Sequence, residues 1–247
     1  MAFQSVFKRY ELKYLLTDAQ KEKVLEAMAP YMELDRYGRT TICNLYYDTD
    51  HYRLVRRSIE KPVYREKLRV RSYQQISADG NVFVELKKKF DGIVYKRRLL
   101  LPNQAALAWL SGENHCGQHT QIAKEIDYFL KLYGSLRPKV FLSYEREAYY
   151  SKDGSDFRVT FDDTILCRQE DLSLASPAYG TRILPEGMTL MEIKCGGGIP
   201  MWMTRALSKE RIYKTSFSKY GTAYKTLIFP QNHKMNSYQM LEVETHA

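Results

Sequence analysis

The chain is 247 residues long, 44% hydrophobic and 27% charged, ordinary values for a globular protein of one large or two small domains. No apolar run approaches the ~20 residues that a membrane-spanning helix needs. Lysine and arginine number 38 against 29 acidic residues, for a net charge of +9 at pH 7, so the partners to expect are nucleic acid, an anionic membrane or a polyphosphorylated small molecule. The cysteines Cys43, Cys116, Cys167 and Cys195 form no CxxC pair. With no signal-like segment after Met1, they read as reduced thiols of a cytoplasmic protein.

Ser5 to Leu16 alternates as a first strand, with Arg9, Glu11 and Lys13 on one face. Thr17-Asp18 offers an N-cap for a helix over Ala19 to Ala29, which Pro30 ends. Thr40 to Asp48 is β-branched and aromatic and predicts a strand, and Thr49 to Ser58 predicts a short basic helix. Its Arg53, Arg56 and Arg57 are either a solvated face or a docking patch for a product chain.

Pro62 to Tyr73 follows, and here period two is most telling. Arg65, Lys67, Arg69 and Arg71 fall on one face of a strand, with Leu68 and Val70 on the other. Val82 to Lys89 and Ile93 to Leu101 flank Asp91-Gly92, a strong hairpin signal. Glu85 and Lys87 share a face of the first of these strands; Lys96 and Arg98 share one in the second.

Helices are predicted from Pro102-Asn103 to Leu110 and over Gln121 to Tyr133, where Ile122, Ile126, Phe129, Leu130 and Tyr133 keep helical spacing. Between them, His115-Cys116-Gly117-Gln118-His119 fits no common zinc spacing. Strands over Lys139 to Tyr150, Phe157 to Phe161 and Leu190 to Lys194 carry Arg146, then Arg158 with Asp162, then Glu192 with Lys194 on single faces. Asp171 to Pro185 reads as irregular. Gly196–Gly198 is a strand-to-helix connection rather than a phosphate loop, because no Lys-Ser/Thr follows. Met201 to Ile212 and Gly221 to Phe229 are predicted helices.

Charge on one face of so many strands predicts an antiparallel β-barrel with a charged lumen. Buried charges need partners. Glu11, Glu85, Glu192 and Asp162 share the faces of the cations but are outnumbered by Lys13, Arg69, Arg71, Lys87, Arg146, Arg158 and Lys194, with Arg65, Lys67 and one of Lys96–Arg98 near the rim. The surplus calls for a polyanion such as a triphosphate, together with a metal at the carboxylates. A triphosphatase, a phosphotransferase and a non-catalytic binder of nucleic acid or polyphosphate all remain open on this ground.

Arg9-Tyr10-Glu11-Leu12-Lys13, Lys67-Leu68-Arg69-Val70-Arg71, Glu85-Leu86-Lys87, Tyr144 with Arg146, Arg158-Val159-Thr160, Glu192-Ile193-Lys194 and Ser218-Lys219-Tyr220 occur in an order that resembles the VTC domains. These are polyphosphate polymerase domains of the CYTH-like, triphosphate tunnel metalloenzyme superfamily. The resemblance implies an α+β fold, an antiparallel β-barrel tunnel with helices packed outside, over 1–230, followed by a polar tail over 231–247. It implies ATP or another triphosphate as substrate, inorganic polyphosphate as product and Mn²⁺ or Mg²⁺ as cofactor. No specific nucleic acid is expected, because the carboxylates among the cations would repel its backbone, and a membrane would be reached through a separate partner. By the same resemblance Arg69, Arg71, Lys13 and Lys219 are the catalytic cations. Lys87, Arg146, Arg158, Lys194 and Lys67 bind phosphate, and Glu192, Glu85 and Glu11 hold the metal. The first strand departs from the ExExK pattern of the triphosphatase and cyclase branches, with one acidic position missing.

Overall fold

A computed structural model describes residues 10–230; Arg9, the start of the first predicted strand and the 231–247 tail lie outside the described residues. Eleven strands form one antiparallel sheet: β1 Tyr10–Thr17, β2 Met32–Leu34, β3 Thr40–Asp48, β4 Tyr64–Tyr73, β5 Asn81–Phe90, β6 Ile93–Pro102, β7 Arg137–Ser151, β8 Arg158–Arg168, β9 Thr181–Arg182, β10 Met188–Cys195 and β11 Lys214–Thr215. The ladder runs β11-β1-β10-β8-β7-β3-β4-β5-β6, with β2 paired to β7 and β9 to β8. The β5–β6 turn is the predicted one: Asp91 and Gly92 both take positive φ, 43° and 80°, between the paired Phe90 and Ile93. This is the conformation that matches the strand twist.

The sheet curls. Five strands separate β1 from β5 along the ladder, yet Lys87 Nζ of β5 donates to Glu11 Oε2 of β1 at 3.0 Å. Among the described residues no ladder joins β6 to β1 or β11, so the sheet curls without closing as the expected barrel would, and the Lys87–Glu11 pair spans from β5 to β1.

Both faces of the sheet are buried, which explains three separate cores. On the outer face, Leu68, Val70, Val84, Leu86 and Leu99 pack against Ala106, Trp109, Ile126 and Phe129 of helices α3 (Asn103–Ser111) and α4 (Gln121–Tyr133). Further round that face, Leu16, Val159, Phe161, Met191 and Ile193 meet Val24, Met28, Met203 and Leu207. These last four belong to α1 (Asp18–Met28) and α5 (Met201–Lys209). The Thr17 hydroxyl and the Gln20 side chain form a capping box that starts α1 at the predicted place.

The third core is on the inner face. Ile42, Tyr46, Val140, Leu142, Tyr144 and Leu190 close around Val55, Tyr220, Ala223, Tyr224 and Ile228. Val55 comes from α2 (Arg53–Ile59), Tyr220 and Ala223 from α6 (Lys219–Ala223), and the chain then continues as a π-helical turn, Tyr224–Ile228. Most helices do lie outside, as expected; α6 instead enters the curl and carries Lys219 with it. The Asp171 to Pro185 stretch is largely irregular, although Thr181–Arg182 pairs with β8. No helix among the described residues is long and apolar enough to cross a membrane.

Candidate functional site

Cross-strand partners share a face, so register alone lines up the inner charges. Tyr46, Arg69, Glu85 and Arg98 form one row across four strands, and Lys67, Lys87 and Lys96 form the next. On the other side of the curl, Lys13, Glu192 and Thr160 form a row, with Arg146 opposite Asp162 beside it.

Three carboxylates organise the cations. Glu85, 1% exposed, accepts from Arg69 at 2.8 and 2.7 Å and from Arg98 at 2.8 and 2.6 Å, with Lys96 at 2.8 Å and Arg71 at 3.9 Å. Burial alone would raise its pKa; Arg69, Arg71, Lys96 and Arg98 hold it well below the usual carboxylate range. Asp162, wholly buried, takes a two-pronged pair from Arg146 at 2.6 and 2.7 Å and a further bond from Lys219. Glu192 lies 3.1 Å from Lys13, 3.5 Å from Lys219, 3.7 Å from Arg146 and 3.9 Å from Lys194. Burial opposes its charge, and these four cations keep it ionised.

Tyr144 joins the two groups. Its hydroxyl accepts from Arg71 at 2.8 Å, while Lys219 and Arg146 stand 4.4 and 5.1 Å from its ring centre, a cation–π geometry. Arg71 also donates to Asn44 at 2.9 Å, and Arg69 to the Tyr46 hydroxyl at 3.1 Å. Asn44, Tyr46 and Tyr144 were not singled out as site residues from sequence, although Asn44 and Tyr46 alternate with buried apolar neighbours along β3. Asp162, which alternation puts on the face of the cations, is the main partner of Arg146.

Lys13, Lys67, Arg69, Arg71, Lys87, Arg146, Lys194 and Lys219 thus share one inner face with Glu11, Glu85 and Glu192. Lys67, expected near the rim, lies further in and donates to Ser218 Oγ at 3.0 Å; Lys13 reaches the Phe217 carbonyl at 2.9 Å. Lys96 and Arg98 both point inward, whereas Arg97 turns outward to Glu125 at 3.2 Å. Arg158 keeps the inner-face register opposite Lys194 but is exposed at the strand end.

Lys87 holds the Glu11 carboxyl down to about 2 against the effect of burial. Burial, helped by Lys87, Lys13, Arg65 and Arg69, pushes the Lys67 ammonium from 10.5 down to about 7. Between about pH 7 and the ordinary lysine range, the unfolded chain therefore binds a proton that folded Lys67 does not. Stability of the ligand-free protein should rise with pH across that window. The opposite trend should appear in anion binding: triphosphate affinity should fall as pH rises through 7 to 8, with proton uptake on binding. Calorimetry in buffers of different ionisation enthalpy measures this, and binding at pH 8 without proton uptake would contradict it.

No group of three or more His, Cys, Asp or Glu among the described residues is arranged to hold a metal by protein ligands alone. Mg²⁺ and Mn²⁺ in nucleotide sites use one or two carboxylates and take their other ligands from phosphates and water. Glu192 and Glu11, on paired strands, suit that demand, and beside Glu192 the buried Thr160 hydroxyl has no hydrogen-bond partner. The donor set fits such an ion once phosphates complete it. Glu85 is enclosed by four cations.

The VTC domain model matches residues 8–228. Among solved structures, a candidate adenylate cyclase from Bacillus halodurans is 13% identical with a TM-score of 0.54, covering 87% of this chain and 96% of its own. A candidate adenylyl cyclase from Hippeastrum, described as having a dominant triphosphatase activity, is 15% identical with a TM-score of 0.52, covering 88% and 95%. At these identities the likeness is one of fold. No curated protein matches by sequence. With the family match running nearly from end to end, the chain belongs to the VTC domain family and has the fold of the CYTH-like triphosphate tunnel proteins.

Proposed function

We propose that the protein is an ATP-dependent inorganic polyphosphate polymerase that moves the nucleotide γ-phosphate onto a growing phosphate chain along the inner face of the sheet. The reading rests on one observation: the inner cations outnumber Glu11, Glu85, Asp162 and Glu192, and each of these four carboxylates is already paired with lysine or arginine. A hydrolase must orient water, for which a carboxylate with no other task would serve; in this reading Glu85 and Asp162 hold arginines and Glu11 and Glu192 are given to the metal. A phosphate-chain terminus is already an anionic nucleophile, so its enzyme needs chiefly positioning and relief of repulsion between two polyanions.

In this reading Arg69, Arg71 and Arg146 grip non-bridging phosphate oxygens with their planar forks. Lys13, Lys67, Lys87, Lys194 and Lys219 add charge along the chain, and Arg158 adds it at the rim. Glu85 and Asp162 keep the guanidinium groups ionised and oriented before substrate arrives. Glu192 and Glu11, with substrate phosphates, would hold Mn²⁺ or Mg²⁺, which supplies neutralisation of the charge on the transferring phosphoryl group. The four free cysteines agree with a reducing, cytoplasmic setting.

A second reading, a triphosphatase, is favoured by the activity described for the Hippeastrum neighbour. Purified protein given ATP and a Mn²⁺ series separates the two: polymerase activity yields phosphate chains, and triphosphatase activity yields only free phosphate. In the same assay Glu192→Gln should still bind ATP through the cations but lose metal-dependent turnover by about a hundredfold or more, the scale of losing a preorganised electrostatic contact. Wild-type turnover of that variant at low Mn²⁺ would move the metal to other carboxylates.

A further inference from the structure

Helix α2 places Arg53, Arg56 and Arg57 at positions i, i+3 and i+4, all exposed. Like charges at that spacing repel one another; the helix dipole favours Arg56 and Arg57 in the last turn but not Arg53 in the first, so the folding of α2 accounts for the cluster only in part. With Thr49, His51 and Glu60 they line an open hollow of about 640 Å³. Among the described residues no carboxylate pairs with Arg56 or Arg57, and Arg53 lies 5.5 Å from the centre of the Tyr133 ring.

The hollow lies at the rim of the sheet, with Arg53 beside Tyr133 and Arg57 beside Tyr64 on the outer-face side. Leu54 and Val55 of α2 are buried in two different cores, one on each face of the sheet, so the helix straddles the rim. Asp48 accepts from the backbone of Leu54 and Val55 at 2.9 and 3.0 Å and from the Tyr220 hydroxyl of α6 at 3.0 Å. Ile59, at the far end of α2, stands against Gly221, where an added Cβ would meet its Cγ1 at 3.6 Å. Three residues before Gly221, Ser218 takes the bond from Lys67. Lys87, Lys67 and Arg65 thus carry positive charge along the inner face toward the rim, and Arg57 acts on Tyr64 on the reverse face of the same strand.

We propose that the α2 hollow is a second anion site that holds a downstream segment of a condensed phosphate chain whose end lies on the inner face. This deepens the polymerase reading and rests on it. A single phosphate would satisfy one guanidinium fork; three forks spread over a helical turn suit a ligand with charge repeated along its length.

The test uses the full chain, tripolyphosphate, and a linear polyphosphate of several tens of units, with affinities measured at two salt concentrations. The double variant Arg56→Ala with Arg57→Ala should bind the long chain about tenfold more weakly, with a shallower salt dependence, and should bind tripolyphosphate as the wild type does. An unchanged affinity for the long chain, or an equal loss for both ligands, overturns the proposal. So does equally tight binding of single-stranded DNA of matched charge. Arg69→Ala reports separately on the inner site: if it leaves tripolyphosphate binding intact, the inner-face reading fails, whatever the α2 variant does.

Discussion

Replacing Arg69 by alanine is expected to weaken tripolyphosphate binding by about thirtyfold or more, the effect of removing a hydrogen-bonded partner from a desolvated charge pair, about 2 kcal/mol at the least. The ligand-free fold should survive. Glu85 would keep Arg98 at 2.6 Å, Lys96 at 2.8 Å and Arg71 at 3.9 Å, so no buried carboxylate is left alone. Removal of Arg69 also relieves repulsion on Lys67. Titration calorimetry and a melting curve on one preparation give both readouts. Unchanged affinity would take Arg69 out of the site, and a collapsed melting curve would make its role structural.

Glu85→Gln should do the reverse. The carboxylate is 1% exposed and answers to four cations. Breaking a buried pair from one side strands uncompensated charge, at about 3–5 kcal/mol. Lys96 and Arg98 keep 36% and 30% exposure and can turn to solvent, so the lower end, about 3 kcal/mol, is expected, a fall in Tm of roughly 6–12 °C for a domain of this size. Tripolyphosphate should restore much of the loss, because the added anion supplies what Glu85 supplied. Urea unfolding with and without tripolyphosphate measures both effects. A variant as stable as the wild type would show that the four cations do not depend on Glu85, and a destabilised variant that ligand fails to rescue would show that they do not meet the anion.

The inner face was legible because strand alternation is rigid: one register places Arg69, Glu85 and Arg98 together, and period two along Pro62 to Tyr73 and Val82 to Lys89 revealed it. The Asp91-Gly92 turn fixed that register from purely local chemistry. Other features depend on contacts that no local pattern encodes. Asp162 and Asp163 are adjacent and alike in sequence, yet one holds Arg146 inside while the other meets Arg39 and Lys21 outside. Alternation puts Asp162 on the face of Arg158, but the pairing of β8 with β7 is what makes Arg146 its partner. Strands β2, β9 and β11, at two or three residues each, are too short to show a period. Helix α6 has four of its five residues buried, so it lacks the polar stripe that marks a helix lying on a surface, and its entry into the curl could not be read from the chain. The bond from Lys67 to Ser218, 151 residues away, depends on the same entry of α6.

The most direct test of the inner face as the working site is a crystal structure of the protein with tripolyphosphate and Mn²⁺. Phosphate oxygens are expected on Arg69, Arg71 and Arg146, with the ion against Glu192 and the lysines turned from their carboxylates toward the chain. Tripolyphosphate bound on the outer surface, with Glu85 and Asp162 still closed around their arginines and the space between them holding only solvent, would contradict it.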